Sequence, residues 1–271
     1  MAETAELSNY VIKGGDQGRA RLSVISRVLA PATDALLDRF GQLAGAVAID
    51  AGCGGGDVSF ALAERVGPSG RVLGFDLDEE KLAGAREEAG RRGLRNIEFV
   101  KASVLEEWPA ADAALIHIRF VLCHLPKPED MLARAMAALA RGGLLIAQDI
   151  DHAGMFCHPP SSAFARYCEL YVTLAKHRGG DPFIGRRLVP LLERAGLAEV
   201  DTCLAQPFGR TGDVKRVGPL TFTAVSEALI SSGLADAAEV EEIAAELAAY
   251  AARPDTITSL PRIFQAWGRK Q

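Results

Sequence analysis

A chain of 271 residues with a formal charge of –5 has room for one α/β domain plus an insertion or small cap. Its mild acidity excludes a large nucleic-acid footprint. No apolar run approaches the roughly 18–20 residues of a membrane span. The five cysteines, at 53, 123, 157, 168 and 203, are odd in number and lack CxxC spacing. That pattern excludes a disulfide framework and reads as reduced thiols in the cytoplasm.

In chain order, the polar opening from Met1 to Asn9 carries Glu3 and Glu6 with no apolar stretch behind it, so no signal peptide is expected. Asp16 to Phe40 is predicted helical. Leu22, Ile25, Val28 and Leu29 recur at helical spacing, and Pro31 interrupts or restarts the helix. A strand from Val47 to Asp50 runs through a glycine turn into a helix from about Asp57. Gly67-Pro68-Ser69-Gly70 returns the chain to a second strand, Arg71 to Phe75, and Asp78 caps a helix ending near Gly93. The third strand is Ile97 to Val100 and the fourth Ala113 to Ile118. Pro128-Glu129-Asp130 opens a helix that stops at Arg141-Gly142-Gly143, before strand five, Leu144 to Gln148. This alternation of strands and helices predicts a parallel, doubly wound sheet. The second half is less regular. Helices are predicted over Ser161 to His177 and Arg186 to Ala195, with strand six around Glu199 to Gln206. After a long excursion Asp236 caps a helix with one apolar stripe, Val240, Ile243, Leu247 and Tyr250. Ile263 to Gly268 is the last strand.

The most informative stretch joins the first strand to its helix. Asp50 ends the strand, and glycine stands at 52, 54, 55 and 56. Glycines are needed where backbone bends sharply or approaches a ligand closely. A strand, glycine turn and helix N-terminus together form a nucleotide-type site at the carboxyl edge of a parallel sheet. The dinucleotide fingerprint G-x-G-x-x-G fails, because Asp57 stands where its third glycine belongs. What the chain has is D-x-G-x-G-x-G, with Asp50, Gly52, Gly54 and Gly56 in register. This resembles the first motif of class I S-adenosylmethionine (SAM) dependent methyltransferases, and the likeness is strong over residues 45–150. Asp76, at the end of Val72-Leu73-Gly74-Phe75-Asp76-Leu77-Asp78, is placed to accept both hydroxyls of a ribose. Asp78 reads better as a helix cap.

The resemblance implies further cofactor contacts. Asp50, Gly52, Cys53 and Gly54 would approach the methionyl and ribose parts of SAM, and Asp76 and Leu77 the ribose. The family commonly has an acid at the turn after strand three, but Lys101-Ala102-Ser103 stands here, so Ser103 and Val104 would meet the adenine. Ala114 to Pro126 is similar to the end of strand four in small-molecule methyltransferases, especially those of the quinone-biosynthesis type. Arg119 would there meet the SAM carboxylate. The segment Arg119-Phe120-Val121-Leu122 is unlike the Asn/Asp-Pro-Pro-aromatic stretch of nucleic-acid amino-methyltransferases. Arg119 also replaces the acid that the metal-dependent branch carries after strand four, so no metal is expected, although Asp149 and Asp151 follow strand five.

Methyl transfer from a sulfonium needs alignment and exclusion of water more than acid–base help, because the leaving group is neutral. A base serves only where the nucleophile is protonated. The candidates are His124 after strand four and the cluster Asp149, Asp151, His152 and His158 after strand five, all near carboxyl ends of strands, with the three histidines favoured. His117, inside strand four, and His177, at a helix end, read as structural. A zinc site at His152, Cys157 and His158 lacks a recurring ligand pair.

The expectation is therefore a Rossmann-like α/β sheet of seven mostly parallel strands. A helical lid spans residues 1–44, the SAM-binding core 45–206, a helical cap 207–255 and the last strand 256–271. The function expected is SAM-dependent methyl transfer to O, N or C of a small molecule, without nucleic-acid or membrane partners and with a possible homodimer. Two alternatives stand beside it: a SAM-binding protein of this fold that does not transfer methyl, and a nicotinamide oxidoreductase. The Tyr10 segment, the Phe156-Cys157-His158-Pro159-Pro160 loop, the helix of Phe164, Tyr167 and Tyr171, and the Pro207–Pro254 excursion are expected to roof the cleft. The Val240–Tyr250 stripe is expected over the carboxyl ends of the strands.

Overall fold

A computed structural model describes residues 15–41 and 43–271. In the first half, α1 (Gly15–Asp38) leads to β1 (Val47–Ala51), α2 (Asp57–Val66), β2 (Arg71–Asp76), α3 (Glu79–Arg91) and β3 (Ile97–Lys101). β4 (Ala113–Arg119), α4 (Pro128–Ala138) and β5 (Leu139–Asp151) follow. The seven-stranded sheet has the order β3-β2-β1-β4-β5-β10-β7, where β7 is Leu197–Ala205 and β10 is Arg262–Lys270. β10 runs antiparallel to both its neighbours, and the first five strands are parallel. The order reverses between β1 and β4. A crevice opens at the carboxyl ends of strands at such a switch point, and open sheets bind their ligands there.

The central strands are mostly apolar because helices cover both faces. Period-2 alternation sends Ala48, Val72, Leu115 and Ile146 to one face, where Leu36, Leu37, Val58 and Leu62 of α1 and α2 cover them. Ile49, Leu73, Ile116 and Leu145 face the other way, toward Met131, Leu132 and Ala135 of α4 and Leu188, Leu191 and Leu192 of α6 (Leu188–Arg194).

Several features differ from the sequence expectation. α1 passes Pro31 without a break. β5 begins at Leu139, five residues early, because the chain pairs Ala113 with Leu139 and then shifts register around Gly142 at φ +76°. The excursion also holds a helix the periodicity does not announce, α7 (Asp213–Ser231), ahead of α8 (Ala237–Ala252). β6 (Cys157–His158), β8 (Phe208–Gly209) and β9 (Ile257–Ser259) form a separate three-stranded sheet in the order β6-β9-β8.

The added helices build a second core. Phe164, Tyr167, Leu170 and Leu174 of α5 (Ser162–His177) pack with Phe222, Val225 and Leu229 of α7 and with Val240, Ile243 and Leu247 of α8. α1 closes against this unit through Val24 and Leu29, which meet Val217, Leu260 and Ile263. The stripe on α8 is buried against α5 and α7, not over the strand ends. The Tyr10 segment lies outside the described residues.

Candidate active site

A cavity of about 670 Å³ opens at the β1/β4 switch point, inside the roughly 300–1,000 Å³ range of small-molecule sites. The glycine turn is its floor. The N–H groups of Gly52 and Cys53 donate to Phe75 O at 2.8 and 3.0 Å, tying the turn to β2. Gly52 has φ +72°, and a Cβ there would lie 2.5 Å from Val121 Cγ2. Gly54 has φ +53° and nothing within 4 Å of its Cβ position, so its outer side faces open space.

Asp50 is buried at the base of this floor and also lines the cavity. Its Oδ2 accepts from Ser59 Oγ at 2.6 Å, and its Oδ1 is 3.3 Å from His117 Nδ1. The other nitrogen of His117 meets Gln148 Oε1 at 3.0 Å. His117 is thus a structural bridge between β1 and β5, as its place inside β4 implies. Asp76 does turn toward the cavity. Its Oδ2 accepts from Gly54 N at 2.9 Å and its Oδ1 from Asp78 N at 3.0 Å. Each carboxylate oxygen has a second lone pair for a hydroxyl. Asp78 caps α3, accepting from Glu80 N and Lys81 N.

Leu77, Ala102, Val104 and Leu105 form an apolar wall beside Asp76. Ser103 does not reach the cavity. It is buried and its Oγ accepts from Leu105 N at 3.0 Å, so the hydroxyl serves its own turn. Arg119 lines the cavity at the end of β4, 3.4 Å from Thr33 Oγ1 and 3.8 Å from Asp57 Oδ2. Burial lowers its pKa, opposed by Asp57 and Asp50. Both contacts are long, so the guanidinium retains donors for a carboxylate. Cys53 also lines this end, its thiol pushed well up by burial and by Asp50 and Asp76.

The far end of the cavity holds His124, His152, Tyr167, Tyr171, Thr221 and Arg21. His152 stacks on Tyr171 with centroids 4.2 Å apart, and its Nδ1 has no hydrogen-bond partner among the described residues. Burial and the nearby Arg21 push His152 down to about 3 and His124 to about 4. Both imidazoles are therefore neutral near pH 7.

The other expected members of the strand-five cluster turn elsewhere. His158 is exposed on β6 and outside the cavity lining, because the β6–β9 pairing carries it past the strand ends. Asp149 is buried, its oxygens accepting from Cys123 N at 3.0 Å and Ile150 N at 2.8 Å, and burial raises it to about 6. Asp151 is held by Arg186 at 2.6 Å and Arg262 at 3.7 Å. Among the described residues no group of three or more His, Cys, Asp or Glu side chains is arranged around a metal position. The roof consists of Val217, Gly218 and Thr221 of α7, Tyr167 and Tyr171 of α5, and Leu260 and Pro261 after β9. α8 contributes no residue to it. Motif and periodicity single out neither Arg21 nor Thr221, although Arg21 falls on the apolar stripe of α1, four residues before Ile25 and seven before Val28.

The open space above Gly54, the unfilled acceptor capacity of Asp76 and the apolar wall fit SAM. Bound there, SAM supplies a methyl group activated by a sulfonium whose departure leaves a neutral thioether. Asp76 would hold the ribose, Leu77, Val104 and Leu105 the adenine, and Arg119 the carboxylate.

A family described as a methyltransferase domain matches residues 43–196. Among individual proteins, methyltransferase str2 of Strobilurus tenacellus is 30% identical over 197 residues, 71% of this chain and 68% of that protein. The demethylmenaquinone methyltransferase of Lactococcus lactis is 28% identical over 151 residues, covering 55% and 56%. The chain spans about half the length of several curated relatives it matches, including 48% of methyltransferase str3. The fold matches Haemonchus contortus phosphoethanolamine N-methyltransferase 2, solved with S-adenosylhomocysteine (SAH), at a TM-score of 0.59 and 16% identity, covering 94% of this chain and 58% of that one. With the family match extending over more than half of its residues, the chain belongs to the class I SAM-dependent methyltransferases.

Proposed function

We propose that the protein transfers the methyl group of SAM to O, N or C of a small molecule, without a metal. The observation that carries this reading is the pairing of Asp76 with the turn: its carboxylate fixes Gly54 N and still faces the cavity. The chain's own contribution is mainly positional. α1, α5 and α7 close the far end of the cavity over the strand ends, which excludes water from a weak nucleophile. His152 is the candidate hydrogen-bond partner of the acceptor, since its buried Nδ1 lacks a partner among the described residues. A group held near 3 is a weak general base, so alignment contributes more than proton removal. His124 is the second candidate.

The test is SAH formation from SAM across a panel of phenols, quinones, carboxylic acids and amines. Turnover with at least one acceptor supports the proposal. SAH binding without turnover on any of them favours a SAM-binding protein that uses the cofactor otherwise. Activity should survive exhaustive chelation and gain nothing from added magnesium. Loss in chelator, restored by a divalent ion, would overturn the metal-independent reading.

A further inference from the structure

Arg21 is 8% exposed yet lines the cavity. Its Nε donates to Thr221 Oγ1 at 3.0 Å, and no carboxylate among the described residues pairs with it. Burying a guanidinium without a counter-charge costs several kcal/mol, so such groups are found paired. Two side chains nearby offer only neutral rings, His124 and His152, and both are depressed partly by the positive charge of Arg21. The cation therefore faces an aromatic end of the cavity, with Tyr167, Tyr171 and Met155 on its walls, and the other cation that His124 feels, Lys81, is already paired with Asp78 at 3.1 Å.

The two arginines of the cavity also have different surroundings. Arg119 stands by Asp57, the first residue of α2, next to the glycine turn. Arg21 is tied to the roof helix α7. One anion, the carboxylate of the cofactor, is accounted for at Arg119. A second cation at the roof calls for a second anion.

We propose that Arg21 binds a carboxylate of the methyl acceptor, so that the substrate class is an acidic small molecule with an apolar or aromatic body. This rests on the methyltransferase reading. Thr221 is the positioning residue: its hydroxyl fixes the Nε edge of the guanidinium, leaving the Nη edge to meet the acid in a bidentate pair. The orphaned Nδ1 of His152 then lies at the same end of the pocket to meet a polar group on the acceptor.

The experiment is calorimetry on the SAH-saturated protein with matched acids and amides: benzoate and benzamide, 1-naphthoate and 1-naphthamide, hexanoate and hexanamide. At least one acid should bind about tenfold or more tightly than its amide, as one charge-assisted bond provides. Arg21→Met should abolish the preference and Arg21→Lys restore part of it, with SAH affinity unchanged in both. Melting curves first establish that each variant folds, and Arg21→Gln replaces Arg21→Met if the latter does not. The proposal is overturned if no acid in the panel is preferred, if the preference survives in Arg21→Met, or if that variant instead loses SAH affinity, which would place Arg21 on the cofactor's own carboxylate. Failure of the wild type to bind SAH at all would contradict the methyltransferase reading beneath it.

Discussion

Gly52 and Gly54 stand two residues apart in one turn and are constrained in opposite ways. A side chain at Gly52 meets the protein, whereas one at Gly54 meets only space. Gly52→Ala should cost roughly 2–4 kcal/mol, from the left-handed φ together with overpacking against Val121, and appear as a lowered melting temperature. Gly54→Val carries left-handed strain as well, at φ +53°, and should in addition reduce SAM affinity in the folded protein, because its branches occupy the space above the turn. If Gly54→Val leaves binding by calorimetry unchanged, the cofactor does not lie over this turn. The floor of the site is readable from sequence because its residues act through the backbone and through local spacing. Ser103 and His158 are not readable in the same way. Whether a turn serine points into a cleft or back to its own amide depends on one rotamer. Where β6 carries His158 depends on its pairing with β9, some 100 residues away in the chain.

The elements divide in the same manner. The strands of the core announce themselves by apolar runs and glycine or proline boundaries, and each strand from β1 to β4 lies within a residue or so of its expected limits. α7 is silent in the sequence because Gly218, Pro219, Thr221 and Thr223 give it poor intrinsic propensity, and tertiary packing supplies what propensity lacks. α8 has the clearer stripe and so reads as the roof, yet it serves as the outer support of α5 and α7. A test separates these roles. Leu247→Ala on α8 should lower stability by about 2–5 kcal/mol, as for other buried leucines, with SAM affinity unchanged in the folded fraction. A drop in affinity matching the drop in stability would show that α8 takes part in the site after all.

Across the whole molecule, the buried groups with the largest shifts in the acid range are His124, His152 and Asp149. The folded pKa values of His124 and His152 are depressed below 6.5, to about 4 and 3. Their contribution to stability is present above pH 6.5 and is lost as pH falls through the folded values. Asp149, raised to about 6, acts with the opposite sign: its contribution is present below about pH 4 and lost as pH rises through 6. The two histidines together outweigh the one carboxylate, so urea midpoints should fall between pH 7 and pH 4.5. A folded pKa that differs by one from its unfolded value changes stability by about 1.4 kcal/mol. A His124→Gln, His152→Gln double variant should therefore show a shallower fall. An identical slope in the double variant would mean that both imidazoles are solvated and free to titrate.

The central claim is that the β1 turn and Asp76 form a SAM site. Calorimetric titration of SAH into the wild type and Asp76→Ala tests it most directly. Two charge-assisted bonds to ribose hydroxyls, each worth about 1.5–3 kcal/mol, predict a loss of roughly a hundredfold or more in a variant that still melts cooperatively. Equal affinity in the two folded proteins, or tighter binding of NADH than of SAH by the wild type, would contradict the account.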